Sequence, residues 1–228
     1  MATDPAHATV ANEVTTEVGA LGSLYALSAR LFTAPDDELY RALESGSVQQ
    51  EAIELLDRTA VDVAQPDLTV DEEHEMLSAR YNDLFVVGYS EVIDKTDGTI
   101  DSQGPPVSLY ESDYRPEVSW NDINLDLARA YEYFGCQVDQ DQRRNHDHIR
   151  LQLEFMGYLC RREAAVDPDI AAARLDFHDR HLRVVTDGVA EALQSEPGTG
   201  LYGRLATFLD ELTAGDVENL ADRQEADQ

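Results

Sequence analysis

Two short segments carry side chains of chemical interest. The first, Pro105-Pro106-Val107-Ser108-Leu109-Tyr110-Glu111-Ser112-Asp113-Tyr114-Arg115, gathers apolar anchors, two tyrosines and paired charges in eleven residues. A solvated loop has no use for Val107, Leu109, Tyr110 and Tyr114 together. Either the segment packs on neighbouring elements with its tyrosine hydroxyls satisfied locally, or it forms a groove wall that grips a peptide. The second segment, His146-Asp147-His148, opens a helical pattern. Asp147 is placed there to cap the helix N-terminus. Alternatively, His146-Asp147 belongs to a metal-dependent phosphohydrolase site, completed by a distant histidine (His74, His178 or His181) and a distant aspartate (Asp179 or Asp187). His178 and His181 could also pair on a metal, but His181 falls on an apolar stripe, which favours a core histidine.

The elements that must position these residues are helical, because the apolar period is close to 3.6 almost everywhere. Val10, Val14, Val18, Leu21, Leu24, Ser28 and Leu31 predict one long first helix. Short helices follow from Pro35 to Leu43 and from Gln49 to Val63. Thr69-x-x-Glu72 reads as a capping box before a helix with Met76, Leu77, Tyr81, Leu84 and Phe85 on one face. From Val86 to Trp120 no period is sustained, which predicts a long structureless loop of the kind that is functional or disordered. Helix resumes from Asn121 to Phe134, stopped by Gly135. A polar connector, 137–145, precedes an amphipathic helix from His146 to Glu163 with Ile149, Leu153, Met156 and Cys160 buried. Pro168 starts another, carrying Phe177, His181, Leu182, Val185, Val189 and Leu193. A final helix is expected over Gly200–Leu212. The expected organisation is one all-α domain over 1–213, a single bundle of about nine or ten helices, with 214–228 as an acidic flexible tail.

Charge narrows the function. With 17 basic and 46 acidic residues the chain carries a formal charge of −29, which argues against unaided nucleic-acid binding. Lys95 is the only lysine, and the acids are spread along the whole chain. That pattern fits a protein of a high-salt cytoplasm, where screening makes self-repulsion tolerable. Its fold is expected to gain stability as salt rises; equal melting temperatures in millimolar and molar salt would show that the charge has another purpose. Cys136 and Cys160 both sit in apolar helical patterns and read as buried free thiols. No signal peptide or membrane span is evident, so a cytoplasmic location is expected. There is no Gly-x-Ser-x-Gly, no phosphate-binding glycine loop and no CxxC.

Taken in order, Tyr81-x-x-Leu84-Phe85, Ser108-Leu109-Tyr110-Glu111-Ser112-x-Tyr114, Asp147-His148-Ile149-x-x-x-Leu153-Glu154-Phe155-Met156, Phe177-His178-x-x-His181-Leu182 and Leu201-Tyr202-x-x-Leu205 resemble the TorD/DmsD/NarJ family across nearly the whole chain. The family's Glu-Pro-x-Asp-His hinge reads Arg144-Asn145-His146-Asp147-His148 here, and its Pro-Tyr-Glu-Ser reads Leu109-Tyr110-Glu111-Ser112. The resemblance implies a non-catalytic, all-helical chaperone with no cofactor of its own. Its partner would be the catalytic subunit of a molybdenum oxidoreductase of the dimethyl-sulfoxide-reductase superfamily. It would bind that subunit's twin-arginine leader and delay export until the molybdenum cofactor is inserted. On this reading Asp147 and Glu111 take up the leader arginines, and Leu84, Phe85, Tyr110, Tyr114 and Trp120 shelter its apolar stretch. Ser112, Arg115 and His148 complete the peptide site. The family includes domain-swapped dimers, so a homodimer hinged at 137–145 is within the expectation. The competing reading is an HD-type phosphohydrolase using His146-Asp147.

Overall fold

The computed structural model describes residues 5–88, 90–94, 99–102, 104–138, 145–165 and 170–226. Its helices are α1 (Pro5–Leu31), α2 (Asp37–Glu44), α3 (Ser47–Leu56), α4 (His74–Phe85), α5 (Trp120–Tyr133), α6 (Ile149–Ala165), α7 (Ile170–Phe177), α8 (Arg183–Ser195) and α9 (Leu201–Ala226). A π-helical turn, His178–Leu182, joins α7 to α8 with helical backbone on both sides, so the two run on as one rod. The all-α class expected from the period is what the chain forms.

The apolar stripes explain the packing. α1 lies along α6 in the most extensive helix contact of the fold, and two glycines make the approach possible. A Cβ on Gly22 would sit 2.9 Å from the Gly157 carbonyl oxygen, and one on Gly157 would sit 2.7 Å from that of Gly22. Val18, Leu21, Leu24 and Leu31 from α1 and Ile149, Leu153, Met156 and Cys160 from α6 are all buried, as the period predicts. Met76 is not: it is 57 % exposed, since α4 turns the face of Leu77, Tyr81 and Leu84 inward instead. Cys160 is buried and Cys136 half-buried, both as free thiols; burial pushes the Cys160 thiol well above its ordinary range.

Four expectations are corrected. The capping box does not form: the Thr69 hydroxyl donates to Asp67 at 2.6 Å, Glu72 pairs with Arg80 at 2.8 Å, and α4 begins only at His74. The segment 86–120 is not structureless. It contains an antiparallel hairpin, β1 (Ser90–Asp94) with β2 (Thr99–Ser102), registered Val92 to Ile100, and a 3₁₀ turn at Glu111–Tyr114. Strands of four or five residues that pair only with each other leave too short a run for an alternating pattern to register. The helix expected from His146 starts at Ile149. The segment from Ala214 is not a frayed tail: α9 continues to Ala226 and buries Asp216 and Leu220. Most of the connector, residues 139–144 with Arg143-Arg144, lies outside the described residues, as does Lys95.

Candidate functional site

The two chemically marked segments meet. Tyr110 and His148 form an isolated antiparallel bridge. The Glu111 amide donates to the Asp147 carbonyl at 2.9 Å, and the Ile149 amide donates to the Leu109 carbonyl at 2.8 Å. The Tyr110 and His148 rings stand edge to face at 5.0 Å. Local bonds shape the 105–115 ridge: the Tyr114 hydroxyl donates to the Ser108 carbonyl at 2.6 Å, and the Ser108 hydroxyl binds Asp113. The Tyr114 ring rests on Gly188 of α8, where a Cβ would come within 2.4 Å of it. Burial raises the Tyr114 hydroxyl far above its ordinary range, so it stays a neutral donor.

The expected arginine acceptors face inward. Glu111 is 0 % exposed and is held on three sides. Arg115 Nη1 reaches its Oε1 at 2.9 Å, Gln152 Nε2 donates to its Oε2 at 2.9 Å, and His181 Nδ1 lies 3.1 Å from Oε2. Asp147, also 0 % exposed, does not cap its own helix. Its Oδ2 accepts from the Ser112 amide at 3.2 Å, while His148 Nδ1 accepts from the Arg150 amide at 3.1 Å and takes the capping role. Asp147 Oδ1 and Gln152 Oε1 are buried without a hydrogen-bond partner.

From Glu111 the network runs outward. His181 Nε2 lies 3.2 Å from Asp126 Oδ2, and Asp126 also pairs with Arg180. Each His181 ring nitrogen thus faces a carboxylate, Nδ1 that of Glu111 and Nε2 that of Asp126. Burial works against charge on Asp126, but Arg180 and His181 outweigh it and hold the carboxyl below its ordinary range. The Arg115 guanidinium donates as well to the Arg180 carbonyl at 3.0 Å. His181 and Arg180 both belong to the π turn, the irregularity that lets α7–α8 turn this side chain onto Glu111. Such turns recur at functional sites. No periodic signal in the sequence marks one.

The remaining site residues divide. Leu84 and Phe85 are buried in the core, with Phe85 against Tyr202 at 5.1 Å, although the Leu84 carbonyl does receive the Val107 amide at 3.0 Å. Tyr110, Ser112, Tyr114 and Arg115 are half-buried on the ridge. Trp120, at the start of α5, is 48 % exposed. Aromatic side chains outside the expected peptide site are Tyr131, Phe134, Phe155 and Phe177. They form a connected cluster under the network, with Tyr131–Phe155 at 4.7 Å and Phe155–Phe177 at 4.8 Å.

Among the described residues the histidines of the metal reading have other partners. His74 binds the Pro35 carbonyl at 2.8 Å and stacks on Tyr40. The His146 carbonyl takes the Tyr131 hydroxyl, and His178 faces Asp179. Among the described residues no group of three or more His, Cys, Asp or Glu side chains is arranged to hold a metal ion.

Comparison with known proteins gives the geometry its family. The nitrate reductase delta subunit family model matches residues 45–187, a span that includes both marked segments and the π turn. The chain belongs to the nitrate reductase delta subunit family. The family is the NarJ/TorD group of assembly chaperones, so this member is a maturation chaperone and not an enzyme. Among its relatives, the selenate reductase assembly chaperone of Thauera selenatis is 34 % identical over 170 residues, 72 % of this chain and 71 % of that one. The chlorate reductase assembly chaperone of Ideonella dechloratans is 29 % identical over 211 residues, 90 % of this chain and 91 % of that one. No solved structure matches the chain. Among the described residues no helix is long and apolar enough to cross a membrane.

Proposed function

We propose that this protein assembles the catalytic subunit of a molybdenum oxidoreductase of the dimethyl-sulfoxide-reductase superfamily. It acts in the cytoplasm, binds the subunit's N-terminal twin-arginine leader, and delays export until the molybdenum cofactor is in place. The observation that carries this reading is the union of the two marked segments into one unit, Glu111 to Asp147 and Tyr110 to His148, in a chain whose relatives are named for assembling selenate and chlorate reductases. A twin-arginine leader presents two guanidiniums and an apolar run, and the protein offers a net −29 beside a ridge of half-buried tyrosines. Long-range attraction steers the basic segment in, and short-range contact with Tyr110, Tyr114 and Trp120 holds its apolar part. On this reading Glu111 and Asp147 shape the ridge from beneath.

The test uses the reductase whose gene neighbours this one. Without the chaperone, that reductase is expected to be exported with little molybdenum; with it, the exported enzyme is loaded. Full molybdenum content in the exported reductase without the chaperone would overturn the reading.

A further inference from the structure

We propose that the cavity between α5, α6 and α7 is the subsite for one arginine side chain of the client, and that Arg180 fills that place in the free protein. The inference rests on the leader-binding reading and names the acids that receive the leader.

The cavity has a volume of about 320 Å³. Phe155 and Phe177 are buried within its wall, and Tyr133, 84 % exposed, stands outside them, so an aromatic surface leads from solvent inward. One ring of that wall, Phe134, already carries a guanidinium from outside the cavity: Arg162 lies 5.6 Å from its centroid, a favourable cation–π geometry. Its charged lining is two carboxylates, Asp126 and Asp176, with Arg129 and Arg180 beside them and His181 at the inner end. Both carboxylates are engaged by one side chain, Arg180, which pairs with Asp126 and lies 3.2 Å from Asp176 Oδ2.

Accessibility decides which acids a client can use. Glu111 and Asp147 are sealed, each at 0 % exposure. Asp126, Asp176 and Arg180 are open to solvent, at 39 %, 64 % and 50 % of their side-chain surface. Ion pairs so exposed are each worth little, so exchanging one guanidinium for another costs little and keeps the charge-assisted bonds. The client adds what Arg180 lacks, an apolar continuation along the aromatic wall. Only the Arg180 side chain has to move, because its carbonyl is held by Arg115 at 3.0 Å.

The experiment titrates the full chain with a synthetic peptide carrying two consecutive arginines and an apolar run, and with its lysine counterpart. Wild type is expected to prefer the arginine peptide, since lysine cannot span two carboxylates as a planar fork does. Arg180→Ala frees Asp176 and leaves Asp126 with His181 alone, and is expected to tighten binding about two- to fivefold; Asp176→Asn is expected to weaken it about three- to tenfold. Ala173→Leu narrows the cavity wall and is expected to weaken binding at least about tenfold, with an unchanged melting curve. If the wild type binds the arginine peptide but Arg180→Ala, Asp176→Asn and Ala173→Leu bind it equally well, the subsite is wrong and the leader reading stands. If the wild type binds neither peptide, the leader reading falls and takes the subsite with it.

Discussion

Two ionic networks in this chain make an instructive pair. One surrounds Arg174 on α7. Its guanidinium is 0 % exposed, 2.6 Å from Glu163 Oε2 and 2.5 Å from Asp216 Oδ1, and Asp216 also receives the Tyr25 hydroxyl at 2.8 Å. This network ties α1, α6, α7 and α9 together, with Glu163 and Asp216 only 6 % and 3 % exposed; its one outward link is Arg223, half-exposed and 3.3 Å from Glu163 Oε1. The other starts as deeply, at Glu111, but passes through His181 to Asp126 and ends in solvent at Arg180. Both join helices distant in sequence. A network whose carboxylates are both buried is closed to exchange at its centre, because a change of partner there strands a buried charge. A network with one open end can trade its outer partner and keep its inner bonds, and that is what a binding surface requires.

The sharpest way to break this contrast is Arg174→Ala. It leaves Glu163 and Asp216 buried beside a cavity, and is expected to cost about 3–5 kcal/mol and to free the C-terminal half of α9. Denaturant unfolding measures the first and helix content the second. Arg174→Met, which fills the space but leaves Asp216 without a cation and Glu163 with Arg223 alone, should recover only part of the loss; full recovery would mean that the clamp works by packing alone.

A smaller effect is expected in the inner part of the open network. Asp147→Ala removes the acceptor of the Ser112 amide, and an unsatisfied buried donor costs about 1–3 kcal/mol. Asp147→Asn keeps an oxygen for that amide and should cost less. A loss as large as that of Arg174→Ala would place Asp147 in the closed class.

The smallest effect comes from a third arrangement, Asp187 on α8 against Asp210 on α9. Burial, and then a hydrogen bond to Asp210, push the Asp187 carboxyl up from 3.8 to about 6. The folded state therefore binds this proton more tightly than the unfolded chain does. The pair is favourable below about pH 4, and that stabilisation is lost as pH rises to about 6. Because the side chain is 47 % exposed, screening reduces the effect to about 0.5–1 kcal/mol. Melting curves between pH 4 and 7 should show it in wild type and lose it in Asp187→Asn.

Much of this was legible beforehand, for identifiable reasons. The first-helix stripe, the α6 stripe and the Phe177–Leu193 run were readable because burial of one helix face imposes a period on the residues themselves. That the Tyr110-Glu111-Ser112 and Asp147-His148 segments share one site was readable because a non-periodic stretch and a helix start are where this sequence places its unusual residues. The burial of Glu111 and Asp147 was not readable, since an acid beside tyrosines looks the same whether it faces water or Gln152. The tail after Ala214 looked frayed for a similar reason: its composition is acidic, and nothing local announces that Asp216 meets Arg174, 42 residues away.

Helical class, the positions of the main core stripes and the acidic surface are properties of local composition and period, so the order of residues was enough to specify them. The choice between a sealed carboxylate and an open one is not local. Glu111 is enclosed by side chains 41 and 70 residues further on, and Asp126 stays within reach of solvent because a π turn sets His181 and Arg180 on two sides of it. Whether a charge is buried depends on the low-dielectric surroundings and the partners that packing brings to it, and those come into being only when the helices have closed on one another.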